Sequence, residues 1–215
     1  MASIDLIVYD FDGTLFDTRM DIARSVNLTL KKLNLPEHNL ETIFSFIGGG
    51  MAVLMEKAMG GSKLQDLDRA VQMFRNIYAE NLVIDTVPYP DIRETIFGLQ
   101  SKKQAINSNK PERFIRSILD RFEFSSPFFS IIGGDTFETR KPDPEGLLCL
   151  INQADVSAKN TLMVGDSGID IETARRAGIL SCGVAWGIGG KASVSKADYV
   201  IEVIAELEEI ITNEM

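Results

Sequence analysis

The stretch "LIVYDFDGTL" at residues 6–15 runs from a short apolar segment directly into two aspartates. The apolar segment, Leu6 to Tyr9, is typical of a strand that is buried on both faces of a parallel sheet. Asp10 and Asp12 come next, and Gly13 follows them. Two like charges at the end of a buried strand need a compensating group nearby. This stretch therefore predicts a first strand with a polar site at its end.

The rest of the chain repeats this pattern and adds helices between the strands. Three further apolar runs, which end in or near glycine or aspartate, predict strands at residues 128–135, 161–167 and 181–186. Amphipathic patterns predict helices at residues 111–122, 143–154 and 170–178. Strands that alternate with helices predict an α/β fold with a doubly wound, mainly parallel Rossmann-like sheet.

Residues 18–82 interrupt the alternation, because only helical patterns occur there. Pro88 and Pro90 follow this segment and favour an extended connection. We therefore expect a catalytic core formed by residues 1–16 and 83–215 and an inserted, all-helical cap domain formed by residues 17–82. Because the cap is inserted directly after the first strand, it could act as a lid over a site at the strand ends.

Composition excludes several classes of function. The chain has 22 basic and 31 acidic residues, a net charge of −9, and no basic runs, so a nucleic-acid partner is not expected. Cys149 and Cys182 show no CxxC spacing, which favours a reduced, cytoplasmic protein. The apolar stretch at the N-terminus is too short for a signal peptide or a membrane span. No feature of the sequence points to a protein partner.

Aspartates follow several of the predicted strands. Asp10, Asp135 and Asp166 each lie at a strand end, and Asp170 lies one helical turn beyond Asp166. Because carboxyl ends of parallel strands share one edge of a sheet, we expect these acids to be neighbours. They could not all stay ionised without a cation, and oxygen ligands select a hard ion such as Mg²⁺. An aspartate-rich turn without chemistry is the plainer alternative for residues 10–13.

Other residue types complete a site for a phosphoryl group. Ser108 follows the "QAIN" segment and offers a hydroxyl donor, and Lys141 in "RKPDP" offers a fixed positive charge. Together with a nucleophilic carboxylate and a metal, these groups could surround three charged oxygens. Taken alone, Lys141 would be read as an exposed lysine and the glycines at 48–50 as a flexible turn.

Four of these segments resemble the motifs of the haloacid dehalogenase superfamily, which contains aspartate-nucleophile phosphatases. In order, they are "DFDGTL" (10–15), "SNK" (108–110), Lys141 in "RKPDP", and "GDSGID" (165–170). The cap segment "FIGGGMAVLMEKAM" (46–59) is similar to the phosphoglycolate phosphatases within that superfamily. Asn107 and Arg140 depart from that family's usual residues.

The resemblance implies a role for each aspartate. Asp10 would be the nucleophile that forms an aspartyl-phosphate, and Asp12 would be the general acid and then the general base. Mg²⁺ would be held by a carboxylate oxygen of Asp10, the backbone carbonyl of Asp12 and the side chain of Asp166. Asp170 would support this site from outside the ligand set.

The resemblance also implies the residues that bind substrate. Phosphate oxygens would be bound by Ser108, by Lys141 and by the backbone N–H groups near Phe11. Asn109 would either bind phosphate or orient the phosphate-binding loop. Gly48 and Gly49 would bring backbone amides to the carboxylate of a small ligand such as 2-phosphoglycolate when the cap closes.

We therefore expect a Mg²⁺-dependent phosphomonoesterase that acts on a small phosphorylated metabolite, with 2-phosphoglycolate as the leading candidate. A phosphatase for another small ester and a capped phosphomutase of the β-phosphoglucomutase type remain alternatives. A phosphoaspartate signalling receiver is the alternative outside enzymes. A receiver needs neither an acid at position 12 nor a large cap, and both features argue against it.

Overall fold

The computed structural model describes residues 3–61 and 64–213. In chain order, the strands are β1 (Leu6–Tyr9), β2 (Phe16–Asp17), β3 (Val87–Pro88), β4 (Lys103–Asn107), β5 (Ser130–Ile132), β6 (Thr161–Gly165), β7 (Leu180–Val184) and β8 (Tyr199–Ile201). The helices are α1 (Arg19–Lys32), α2 (Leu40–Phe44), α3 (Met51–Ala58), α4 (Leu67–Glu80), α5 (Ile92–Gly98), α6 (Glu112–Arg121), α7 (Glu145–Ala154), α8 (Gly168–Ala177), α9 (Gly190–Ser193) and α10 (Glu206–Asn213).

Six strands form one parallel sheet in the order β5-β4-β1-β6-β7-β8. The strand β1 lies inside the sheet, where Tyr9 is in register with Ile106 of β4 and Val164 of β6. The backbone N–H of Asp10 continues this ladder by donating to Val164 O at 2.9 Å. The predicted α/β fold class is confirmed, and the carboxyl ends of β1, β4 and β6 meet at one edge.

Both faces of the sheet are covered, which explains why β1 is apolar at every position. Ile7 and Tyr9 point into one hydrophobic cluster, to which α5, α6 and α10 contribute. Leu6 and Val8 point into a second cluster on the opposite face, to which α7 and α8 contribute. Neighbouring strand residues alternate between faces, so a strand between two helical layers turns side chains toward a hydrophobic cluster on each side, which favours apolar residues at every position.

Three short strands, β2, β3 and β8, were not predicted from the sequence. The strand β8 is an edge strand of three residues, and Val200 at its centre is exposed, so it lacks the buried run by which the other strands were found. The strands β2 and β3 have two residues each and pair antiparallel, with Phe16 opposite Pro88 and Asp17 opposite Val87. Such short segments carry too few residues for a periodic pattern.

The segment between β2 and β3 contains the helices α1 to α4, and no strand occurs in its described residues. These helices share a hydrophobic cluster of their own, which includes Val26, Met55 and Phe74, and Phe114 of α6 packs against it. The chain enters and leaves the segment through the β2–β3 pair, close to the bounds expected for the cap. These observations support our proposal that residues 17–82 form a cap, which stays a prediction.

Asp21 of α1 joins the beginning of this segment to its end. Its side chain is fully buried, and its carboxylate accepts hydrogen bonds from the backbone N–H groups of Ile84, Asp85 and Thr86 at 2.8–3.1 Å. The Thr86 hydroxyl donates to it as well, at 2.8 Å. Burial alone would raise the pKa of Asp21, but these donors lower it below the ordinary aspartate value. One charged side chain therefore fixes the return connection to α1.

We expect Asp21→Asn to lower the free energy of unfolding by about 2–3 kcal/mol, because an amide N–H would then face buried N–H donors. Urea unfolding monitored by circular dichroism measures this, and Asp68→Asn on an exposed face of α4 is the control, expected within about 0.5 kcal/mol of wild type. Because the pKa of Asp21 is lower in the folded protein than in the unfolded chain, its carboxylate stabilises the fold at pH values above the unfolded-state pKa. The difference in unfolding free energy between wild type and Asp21→Asn should therefore shrink as the pH falls below about 4. Equal stability of Asp21→Asn and wild type at pH 7 would contradict this role.

Two expectations from composition concern the membrane and the cysteines. None of the helices in the part of the chain that the structure describes has both the length and the apolar character needed to cross a membrane. Cys149 and Cys182 are free thiols. Burial raises the pKa of Cys182 to about 12, so this thiol stays protonated and unreactive at neutral pH.

Candidate active site

Two strand ends and the first turn of α8 bring three of the predicted acids together. Asp10 follows β1 and Asp166 follows β6, and carboxylate oxygens of Asp10, Asp166 and Asp170 all lie within 4.8 Å of one another. All three residues are buried, with at most 8% of their surface exposed. Asp135, which follows β5, lies apart from this group. Its Oδ1 accepts from the backbone N–H of Glu112 at 2.8 Å, and it thus serves the first turn of α6.

Lys141 supplies the positive charge at the centre of the cluster. Its Nζ lies 2.9 Å from Asp10 Oδ1 and 2.5 Å from Asp170 Oδ1, and the side chain is buried. Burial alone would lower the pKa of Lys141, but the two carboxylates raise it above its usual range. The lysine is therefore charged at any physiological pH, and the interpretation of Lys141 as an exposed surface residue is wrong.

One lysine does not balance the three carboxylates. The pKa of Asp166 is raised to about 8, first because burial disfavours its charged form and second because Asp170 and Asp10 are close. The backbone N–H of Gly189, 3.1 Å from Asp166 Oδ2, and the Lys141 charge oppose this shift. The cluster thus has an excess of negative charge that a bound cation would offset.

Unused oxygen atoms indicate where a cation would be held. Asp10 Oδ1 is buried and, despite its ion pair with Lys141, receives no well-directed hydrogen bond. Among the described residues, none donates a backbone hydrogen bond to the Asp12 carbonyl, and one, Gly189, donates to the Asp166 side chain, at Oδ2. Carboxylate and carbonyl oxygens are the donor set that Mg²⁺ prefers. The residues therefore fit the predicted ion.

Asp170 differs from the other two acids, because protein donors occupy both of its oxygens. Its Oδ1 accepts from Lys141 Nζ, and its Oδ2 accepts from the backbone N–H of Ser167 at 3.1 Å and from the Ser167 hydroxyl at 2.7 Å. The Ser167 contacts form a capping box at the start of α8. This arrangement suits a residue that orients Lys141 better than one that binds a metal, in line with the supporting role predicted for Asp170.

Asp12 lies beside the cluster and is held by two donors that the sequence analysis did not identify. Its Oδ1 accepts from the Thr18 hydroxyl at 2.7 Å and from Lys110 Nζ at 2.9 Å. No donor from the described residues contacts Asp12 Oδ2. The carboxyl group is thereby fixed in one orientation, with one oxygen free for chemistry.

Donors for phosphate oxygens lie next to these acids. Ser108 follows β4, and its hydroxyl oxygen accepts from the Lys110 backbone N–H at 3.3 Å, which leaves its own proton free to donate. Within the described residues, the backbone N–H groups of Phe11 and Asp12 donate to no backbone acceptor. The Phe11 ring is fully buried and stacks on Phe16 at 4.9 Å, so this backbone turn is held rigidly.

Asn109 connects the glycine loop to the lysine segment. Its Nδ2 donates to Gly48 O at 3.0 Å and to Lys141 O at 3.1 Å, so both amide protons are used by backbone carbonyls. In this arrangement, the side-chain amide of Asn109 has no N–H left for a phosphate oxygen. We interpret this side chain as the group that orients the loop, and direct phosphate binding by Asn109 stays a prediction that the side-chain geometry does not favour.

A small cavity of about 50 Å³ lies between the acids and the helical segment. Gly48 and Gly50 line it, whereas Gly49 faces Val53 of α3, where a Cβ would lie 2.9 Å from Val53 Cγ1. The remaining wall residues are Asp10, Asp12, Ile22, Ile47, Met51, Leu54, Phe74, Tyr78, Ser108, Asn109, Lys110 and Pro111. The structure therefore places part of the predicted glycine loop, but not Gly49, at the site.

Two glycines allow other groups to approach Asp166 closely. Gly13 has φ +84°, and a Cβ there would lie 2.4 Å from Asp166 Oδ2. A Cβ at Gly187 would lie 2.1 Å from Asp166 Cβ and 2.6 Å from the carbonyl oxygen of Gly13. The segment "GIGG" (187–190) thus packs closely against Asp166 and supplies the Gly189 N–H.

Tyr78 and Lys110 are the further cavity residues that sequence reasoning missed. Tyr78 belongs to the apolar face of α4, so its position gives no sign of a polar role. Burial, followed by the charges of Asp12 and Asp21, raises the pKa of Tyr78 well above its usual value, and the hydroxyl keeps its proton. Lys110 belongs to the "SNK" motif, and this position was the one feature of the sequence that could have indicated a role for it at the site.

Comparisons with known proteins agree with this geometry. Residues 7–184 match the family model of the haloacid dehalogenase-like hydrolases. The chain is 40% identical over 184 residues to a phosphoglycolate phosphatase of Aquifex aeolicus, which covers 85% of each protein. It is 38% identical over 190 residues to a phosphoglycolate phosphatase of Pseudomonas putida, which covers 85% of this chain and 70% of that protein.

The fold is also similar to solved structures. The crystal structure of a protein from Haemophilus somnus 129pt, described as a predicted phosphoglycolate phosphatase, superimposes with a TM-score of 0.91 at 30% identity. The alignment covers 98% of this chain and 99% of that one, so the helical segment is included along with the sheet.

Proposed function

The chain belongs to the haloacid dehalogenase-like hydrolase family, and from this premise we propose that it is a phosphoric monoester hydrolase that acts through an aspartyl-phosphate on Asp10. Membership of the family confirms the resemblance inferred from the four motifs. The observation that carries the proposal is the position of Asp10, which lies at the end of the central strand and lines the cavity together with Asp12, Ser108 and Lys110.

The first half of the reaction transfers the phosphoryl group to the enzyme. Asp10 attacks phosphorus on the side opposite the leaving oxygen, so a bond from its carboxylate to phosphorus forms while the ester bond breaks. Asp12 gives a proton to the departing alkoxide from Oδ2, the oxygen that no donor among the described residues contacts. Lys141, Ser108 and the N–H of Phe11 bind the charged phosphoryl oxygens.

The second half releases phosphate. Asp12 is now a carboxylate and accepts a proton from a water molecule as that water attacks phosphorus. The bond between phosphorus and the Asp10 oxygen breaks, which yields inorganic phosphate and restores the Asp10 carboxylate. Lys110 and Thr18 hold Asp12 in the same orientation for both proton transfers.

We propose that Asp10, the Asp12 carbonyl and Asp166 hold Mg²⁺, and that Asp170 supports the site by orienting Lys141. When bound, Mg²⁺ would offset the charge of the carboxylates and of the phosphoryl group. The excess negative charge of the cluster and the unused oxygen of Asp10 support this assignment.

We propose 2-phosphoglycolate as the leading substrate. The curated relatives from Aquifex aeolicus and Pseudomonas putida are named phosphoglycolate phosphatases. A cavity of about 50 Å³ suits a short leaving group, and much of its wall is apolar. A sugar phosphate would bring several hydroxyl groups that these apolar side chains could not satisfy, which disfavours the phosphomutase alternative.

The remaining expectations concern the binding partner and the cellular location of the protein. We propose that the partner of this protein is a small phosphorylated metabolite and that nucleic acid is not bound, because the net charge is −9. The two free thiols favour a reducing compartment, so a cytoplasmic location is proposed on that ground.

A panel of phosphate esters assayed for phosphate release tests this function. We expect 2-phosphoglycolate to give a higher kcat/KM than ethyl phosphate, a hexose phosphate or a nucleoside monophosphate. Removal of divalent ions with EDTA should lower the rate at least about 100-fold, and added Mg²⁺ should restore it. Absence of Mg²⁺-dependent release from every ester would contradict the enzyme assignment. A preference for the hexose phosphate would contradict only the substrate, and an isomerised product would favour the mutase.

A further inference from the structure

Lys110 and Tyr78 form a cation and hydroxyl pair at the wall of the active-site cavity. We propose that this pair binds a carboxylate on the leaving group, and that it thereby selects phosphate esters whose carboxylate is attached to the carbon next to the ester oxygen. The inference rests on the proposed phosphatase function and assigns its specificity to two residues.

Lys110 is a buried cation with one unused proton. Its side chain lies in the cavity wall and is only 2% exposed. The ammonium group carries three protons, of which one is donated to Asp12 Oδ1 at 2.9 Å and one to the Tyr78 hydroxyl oxygen at 2.6 Å. The third proton has no acceptor among the side chains and carbonyls that the structure describes.

Tyr78 adds a second donor on the cap side of the cavity. Because its hydroxyl oxygen accepts from Lys110, its own proton can be given to another group, and no described residue accepts it. The ring is fixed in place, since it stacks on Phe74 with centroids 5.5 Å apart and meets Phe114 edge-on at 5.2 Å. A rigid O–H and an N–H of a cation thus adjoin the same cavity, which both residues line.

These two donors suit a carboxylate, which offers two acceptor oxygens and a negative charge. The nearby wall consists largely of apolar side chains, namely Ile22, Ile47, Met51, Leu54 and Phe74. Such a wall lowers the local dielectric constant and strengthens a charge pair inside the cavity. It also leaves a neutral polar leaving group with few partners.

The location of Lys110 sets the distance between the carboxylate and the reacting ester. Lys110 contacts Asp12, and Asp12 is the residue that we place at the ester oxygen. In 2-phosphoglycolate, a single carbon separates the ester oxygen from the carboxylate carbon. Because Lys110 touches Asp12, it is near the carboxylate of 2-phosphoglycolate. It would be farther from the carboxylate of an ester with one more carbon between the two groups.

The sequence analysis assigned the carboxylate to the backbone amides of Gly48 and Gly49 instead. In the structure, Gly48 lines the cavity but Gly49 does not, and a Cβ at Gly49 would meet Val53. Lys110 and Tyr78 offer a full charge and a fixed hydroxyl in their place. We therefore favour this pair over the glycine loop as the carboxylate site.

Tyr78→Phe tests the inference, because it removes the hydroxyl and keeps the buried ring. The measured quantity is the ratio of kcat/KM for 2-phosphoglycolate to kcat/KM for ethyl phosphate, which has a methyl group in place of the carboxylate. We expect this ratio to fall about tenfold in Tyr78→Phe and about 100-fold in Lys110→Met. The fall should come from a higher KM for 2-phosphoglycolate. Losses caused by a disturbed Asp12 affect both esters and cancel in the ratio.

Tyr9→Phe is the matched control. It removes another buried tyrosine hydroxyl, one that donates to Gln104 at 3.1 Å outside the cavity, and the ratio should stay within twofold of wild type. A ratio unchanged in both Tyr78→Phe and Lys110→Met, in enzymes that still hydrolyse 2-phosphoglycolate, would overturn the inference and leave the phosphatase function intact. A wild-type protein that hydrolyses no phosphate ester would overturn both.

Discussion

Asp10→Asn is expected to lower kcat by at least about 10³-fold, the largest loss that we predict for any single substitution in this protein. An amide is a far weaker nucleophile than a carboxylate, so the bond to phosphorus cannot form. The substitution also removes one of the carboxylates paired with Lys141. The remaining pair with Asp170, at 2.5 Å, should keep the lysine in place.

Two measurements distinguish loss of the nucleophile from loss of structure. Phosphate release from 2-phosphoglycolate gives the rate, and acid quenching with ³²P-labelled substrate detects the phosphoenzyme, which wild type should form and Asp10→Asn should not. Thermal unfolding checks that both proteins are folded. Asp5→Asn is the control, because Asp5 precedes the same strand at its opposite end, where its carboxylate accepts from Asn160 at 2.7 Å. Near wild-type turnover by Asp10→Asn would show that the nucleophile is another residue.

The sequence predicted those parts of the site that follow from regular structure. Because β1 and β6 are buried on both faces, their apolar runs could be recognised, and Asp10 and Asp166 follow them directly. Parallel strands place such residues at one edge, so their proximity could be predicted without coordinates. The same reasoning was wrong for Asp135, because a strand end does not reveal that the side chain turns toward the first turn of α6.

Contacts between distant segments could not be predicted in this way. Tyr78 is 32 residues from Lys110, and Lys110 is 98 residues from Asp12, so no local period links them. Tyr78 has the spacing of an ordinary core residue of α4, and its ring is indeed part of that core. Tyr78 also lines the cavity, and a hydrophobic pattern contains no information about one polar atom at the end of a buried side chain.

Asp12→Asn should produce a loss whose size depends on the leaving group. With 2-phosphoglycolate, we expect kcat/KM to fall about 10²–10⁴-fold, because the alkoxide then leaves without a proton. With 4-nitrophenyl phosphate, the loss in the first step should be less than about tenfold, because nitrophenolate is stable without protonation. Asp10→Asn offers the contrast, since loss of the nucleophile must slow both esters equally.

Because of the geometry of Asp12, the comparison of the two esters tests the role of a single atom, Oδ2. Thr18 and Lys110 hold Oδ1, at 2.7 and 2.9 Å, and an asparagine can keep these contacts through its carbonyl oxygen while its amide replaces Oδ2. The substrate pocket should therefore stay intact, and only the proton transfer is lost. Because dephosphorylation also needs this base, rapid mixing of Asp12→Asn with 4-nitrophenyl phosphate should give a burst of one equivalent of nitrophenol, followed by slow turnover. Equal losses with both esters and no burst would mean that Asp12 contributes to binding or to the metal site, and that another group carries the proton.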